Sequence, residues 1–267
     1  MLQVTDDEDR PMFWKEIDAF IPEPLAAAVE AAYGVFARYT LSGVIVHCDC
    51  PVCMTAETAQ ALSVRPLKEI SPGLLAEYTN SAHGYDHGRI EHEFKHFLPR
   101  YLDLIAQCDP PSALDLAPCL DRLGHAGYRV RWPAAEAEAV DRFFVEYLKA
   151  CVFQLGLVRW PAGLRLAFDL DDVLIMIARA GGDFDAALAA FDDSGDPEAA
   201  VHMASLRRNV AWQDGDPVYR DPFLEEYPEA AGKLGAFLVR DSVSTRILGA
   251  AALLDDADYD DVLDLGL

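Results

Sequence analysis

Apolar residues in this chain recur at intervals of three and four, and strict alternation of period two is almost absent. That pattern confines most of the backbone to helices, because the two periods bury different faces. The clearest case starts at Pro133, where Val140, Phe143, Phe144, Tyr147, Leu148, Cys151 and Val152 form one stripe behind Glu136 and Glu138. A first helix follows Pro24, with Leu25, Val29, Ala32, Tyr33 and Phe36 on one face. Thr55 and Ser71 are N-cap candidates for two short helices, the first ending before Pro66. Ile90, Phe94, Phe97, Tyr101, Leu104 and Ile105 mark another, which Pro99 is expected to kink or split near His96. Further helices are expected at about 170–180, 184–192, 197–211, 226–239 and 242–254. The fold class is therefore all-α, a bundle or stacked helical pairs, with one short extended segment that carries cysteines.

That segment is TLSGVIVHCDCPVCM. A β-branched run, Val44 to Val46, leads into Cys48, Cys50 and Cys53, and Pro51 favours the tight turn that would let three thiols converge. CxCxxC spacing suits a tetrahedral soft-donor site in which thiolates hold Zn²⁺ in a structural role. His47 is too close in sequence to guarantee reach. His83 or His87, in the glycine-flanked loop NSAHGYDHG, is the candidate fourth ligand, and Cys108 or Cys119 could serve instead. Two other readings compete: a redox-active pair at Cys50 and Cys53, for which no βαβ frame is present, and thiols with no role.

Three further motifs invite chemistry. His92-Glu93-Phe94-Lys95-His96 matches HExxH, in which two imidazoles one turn apart hold zinc and the carboxylate activates water. Charged Glu91 and Lys95 and the downstream Pro99 argue against a zinc hydrolase there, and two solvated histidines on a polar face are the competing expectation. Asp169 and Asp171 in FDLDD resemble the first motif of haloacid-dehalogenase-type phosphatases. The remaining 98 residues read as helices with Lys233 as their one lysine, so Asp169 is better read as a helix cap and Gly181 as a stop. The acidic end, Asp255 to Asp261, opens like a calcium loop but lacks its glycine and closing glutamate.

Charge narrows the partners. The chain has 22 Lys+Arg against 45 Asp+Glu, a formal net charge of −23. Such a field repels phosphate backbones and anionic membranes, so the expected partner is a protein with a basic surface, not nucleic acid or a membrane. No basic n-region with an apolar run opens the chain, and no stretch would span a bilayer, so a cytoplasmic location with reduced thiols is expected. The expected organisation is an acidic tail over 1–10, a helical region with the knuckle over 11–130, and a second helical region over 131–267, the two regions being either separate or one continuous domain. The sequence does not fix an oligomeric state.

HCDCPVC, PLKEISPGLLAEYTNSA, FKHFLPRYLDLIA and WPAAEAEAV occur in that order. This order resembles a family of uncharacterised bacterial proteins that combine a Cys-rich knuckle with an FLPR-type helix, here Phe97-Leu98-Pro99-Arg100. The likeness covers most of residues 45–210. It implies no activity, and it centres on the cysteines and the FLPR segment, not on His92 and His96.

Overall fold

The computed structural model describes residues 4–5, 20–48, 50, 53–81, 84–113, 116–154, 157–160, 163–166, 170–195 and 197–251. It is mostly helical, as the periodicity requires. In chain order, the first half contains β1 (Val4–Thr5), α1 (Glu23–Phe36), α2 (Ala56–Val64), α3 (Pro72–Thr79), α4 (Arg89–Ala106), α5 (Asp121–Ala126), α6 (Tyr128–Arg131) and α7 (Ala134–Val152). The second half contains β2 (Leu157–Trp160), β3 (Gly163–Leu166), α8 (Leu170–Arg179), α9 (Phe184–Asp192), α10 (Glu198–Arg207), β4 (Val210–Gln213), β5 (Asp216–Tyr219), α11 (Pro228–Leu238) and α12 (Asp241–Ala251). Among the described residues, no helix is long and apolar enough to cross a membrane.

The contacts divide the chain into two units. One holds the described residues of 19–147 and 179–182; the other holds those of 1–18, 148–178 and 183–267.

In the first unit α1 lies along α4. Leu25, Ala28, Val29, Ala32 and Phe36 bury the inner face of α1, and Tyr33 at its margin donates from its hydroxyl to Asp103 at 2.9 Å. The caps follow the side-chain chemistry: Thr55 accepts from Thr58 N–H at 3.2 Å and Ser71 from Leu74 N–H at 3.3 Å, each satisfying an orphan donor. Pro99 does not split α4, which is helical without interruption from Arg89 to Ala106. Pro99 and the two residues before it, Phe97 and Leu98, are buried, and that packing outweighs the missing backbone donor.

In the second unit β2 pairs parallel with β1 and antiparallel with β3, Leu157 opposite Leu166 and Trp160 opposite Gly163. α10 packs on α12, and α11 on β5. The expected helix over 197–211 stops at Arg207, and the chain turns into the β4–β5 hairpin. Gln213 pairs with Asp216, leaving Asp214 and Gly215 as a two-residue turn with φ of 54° and 96°. Positive φ at both positions matches the right-handed twist of the strands, and Asp-Gly is well suited to it. At the end of α8, Val173, Leu174 and Ile177 are buried and Gly181 takes φ of 72°, the stop expected of it. Asp169 and the 255–261 segment lie outside the described residues.

His202 on α10 is 1% exposed. Burial lowers its pKa from 6.5 to about 4, and hydrogen bonds to the backbone at Gln154 and Val152 only partly oppose that shift.

Candidate metal centre

The described residues between Tyr39 and Thr55 have no regular structure, and α4 organises them. The Tyr39 carbonyl accepts from His96 Nδ1–H at 2.8 Å, and the Thr40 carbonyl from His92 Nε2–H at 2.9 Å. Arg89 reaches the Val44 carbonyl from the same helix. Ile45 is buried, its N–H donating to Ser63 Oγ on α2 at 3.0 Å. The Val46 N–H then lies 3.1 and 3.0 Å from the two oxygens of Glu93. These bonds satisfy the backbone of a segment that has no ladder of its own. After the cysteines the chain is fixed again: Met54 is buried, and its N–H points at Ser81 Oγ at 3.4 Å.

Between the two anchors, Sγ of Cys48, Cys50 and Cys53 all lie within 4.8 Å of one another. Cys48 and Cys53 are half-buried and Cys50 is exposed. Cys50 N–H points back at Cys48 Sγ at 3.4 Å. Thiolates bound tetrahedrally at about 2.3 Å from a zinc ion stand roughly 3.8 Å apart. The sulfurs, no more than 4.8 Å apart, are within about 1 Å of that edge. The three cysteines could therefore hold a metal ion. Among the described residues they are the one group of three or more cysteine, histidine or acidic side chains close enough to do so.

The other sequence candidates are placed differently. His83 lies outside the described residues. His87 is exposed on the turn before α4, its Nδ1 3.0 Å from Glu91 Oε2. Cys108 and Cys119 are buried in the first unit outside the cluster, and burial pushes the Cys119 thiol upward, against the thiolate. In the HExxH segment Glu93 is 3% exposed, and its carboxylate is occupied by Val46 N–H and by Arg89 Nε at 2.8 Å. His92 is exposed and His96 half-buried, and each has committed one ring nitrogen to a carbonyl. Burial lowers the His96 pKa below its ordinary value.

No family model, curated protein or solved structure matches the chain.

Sequence reading also passed over a buried charge network that lies beside the anchor. Lys95 and Glu136 are 5% and 1% exposed. Lys95 Nζ is 3.0 Å from Glu91 and 3.1 Å from Glu136, and it sits 4.2 Å from the centre of the Trp132 ring. Tyr39 donates its hydroxyl to Glu136 at 2.6 Å, and Arg38 completes the set. Burial works against the ammonium charge, but the hydrogen bonds and attraction of Glu91 and Glu136 outweigh it and hold Lys95 above its ordinary range. A cue existed in the sequence. Glu136 falls in the first turn of α7, and Lys95 stands four residues from Glu91, the spacing of a helical pair.

Proposed function

We propose that Cys48, Cys50 and Cys53 hold a structural Zn²⁺, and that the protein is a non-enzymatic helical scaffold whose acidic surface engages a basic protein partner. The observation that carries this reading is the convergence of three sulfurs between two fixed backbone anchors, Val46 on Glu93 and Met54 on Ser81. A metal there would tie the irregular segment to α4 and to the end of α3, which is structural work. The loop after α3 supplies the fourth ligand. His83, two residues after Ser81 in the sequence, is the first choice. His87 is the second choice, since it already pairs with Glu91. The hydrolase alternative loses support because the carboxylate it needs is committed to the backbone and to Arg89.

Elemental analysis of untagged protein, paired with release by a thiol-reactive mercurial, tests the proposal. About one zinc per chain, lost on thiol modification, is expected. Cys50→Ser should lower the melting temperature, because metal binding is coupled to folding. Protein with no stoichiometric metal, or zinc that survives thiol modification, overturns the reading.

A further inference from the structure

The first unit contains a cleft of about 370 Å³ between the end of α3, the chain at 84–85 and α5, with a mixed polar and apolar lining. Its volume falls in the range of sites for small ligands. Asn80, Ser81, Tyr85, Ser112, Arg122 and His125 supply most of its polar wall. The charges in it are unbalanced. Asp121 also lines the cleft, but its two oxygens are taken up by Arg179, one of them at 2.8 Å from Nε, so its charge is compensated within the protein. Arg122 is different. It spends one nitrogen, Nη2, on the carbonyls of Tyr78 and Ser81 at 3.2 and 3.4 Å and lies 4.9 Å from the centre of the Tyr78 ring. Those contacts fix the plane of the guanidinium. Among the described residues no acceptor stands at its Nε or Nη1, and His125 has no hydrogen-bond partner.

We propose that this cleft binds a small oxyanion, a carboxylate or a phosphate group, through the free edge of Arg122 and the His125 ring. A planar guanidinium held by two carbonyls and an aromatic face offers two parallel N–H groups in fixed geometry, the arrangement that carboxylates and phosphates accept bidentately. The Asn80 side-chain amide lies on the same wall, whereas the hydroxyls of Ser81 and Tyr85 already donate to Glu77 and Glu91. In a chain of net charge −23 an anion is repelled at long range, so its capture must come from these local donors.

The test is calorimetric titration of the full chain with inorganic phosphate and, separately, with succinate, each against sodium chloride at matched ionic strength. A saturable heat with either, absent with chloride, is expected. Phosphate alone would assign a phosphate-bearing ligand and succinate alone a carboxylate. Arg122→Gln should abolish that heat. Because Arg122 also holds two carbonyls, His125→Ala provides the second arm: this exposed residue should be dispensable for the melting temperature, and its loss should weaken binding about tenfold. No saturable heat with either probe, or heat unchanged in His125→Ala, overturns the proposal.

Discussion

His202 is a neutral imidazole kept dry inside α10 and its neighbours, and it makes the second unit sensitive to acid. In the unfolded chain the ring takes a proton near its ordinary pKa of 6.5, whereas in the folded chain it resists protonation to about 4. Between those values the unfolded state binds more protons, so stability is fully present above pH 6.5 and falls as the pH drops towards 4. The loss attributable to this one ring is about 3 kcal/mol, an order-of-magnitude figure. Urea unfolding from about pH 7 to about pH 4 should show that slope, and His202→Gln should flatten it. An identical slope in the variant would assign the acid sensitivity elsewhere, with the half-buried His96 next in line. Neither histidine could be ranked from the sequence. His96 and His202 both sit in helical patterns, and only tertiary packing separates a ring at 1% exposure from the open His92.

At the scale of elements, α11 shows how closely helix and hairpin approach. A Cβ added at Gly235 would stand 2.5 Å from the Pro217 carbonyl oxygen on β5, while one added at Gly232 on the same helix would meet nothing within 4 Å. Gly235→Ala should therefore push α11 off the hairpin and cost about 1–3 kcal/mol. Gly232→Ala should add about 0.5–1 kcal/mol, by removing the entropy of a helical glycine. Thermal unfolding of the pair checks both signs, and equal effects would show that helix propensity alone governs this face. The hairpin itself was readable in part. Asp214-Gly215 is a strong turn signal, but Val210-Ala-Trp-Gln on one side and a proline-containing strand on the other give too short an alternation to outweigh the helical run before them. The short β2 and β3 escape for the same reason. Caps fared better, since Thr55 and Ser71 act through bonds local to their own turns.

For the whole molecule the governing quantity is 45 acids against 22 bases. Self-repulsion of that excess should destabilise the folded chain at low ionic strength. Raising the salt from about 0.01 M to about 0.15 M shortens the screening length from roughly 30 to roughly 8 Å. The melting temperature should then rise by a few degrees, at about 2–4 °C per kcal/mol for a chain of this size. A fall would mean that local pairs such as Arg100–Asp103 and Arg246–Asp192 outweigh the net field. The dominance of helix was legible at this scale because it is written as periodicity in most segments. The three cysteines were legible too, because their spacing is local. Their anchors, Ser63, Ser81 and Glu93, were not, since each acts across 18 to 47 residues of chain. The charges at Lys95, Glu91 and Glu136 also set which substitutions the first unit tolerates. Loss of Lys95 leaves Glu136, 1% exposed, with only Tyr39 and Arg38 among the described residues to hold its charge, whereas loss of Glu91 leaves Lys95 still paired with Glu136. The three positions are therefore unequal in what a substitution there would cost, and Lys95 is the least free to change.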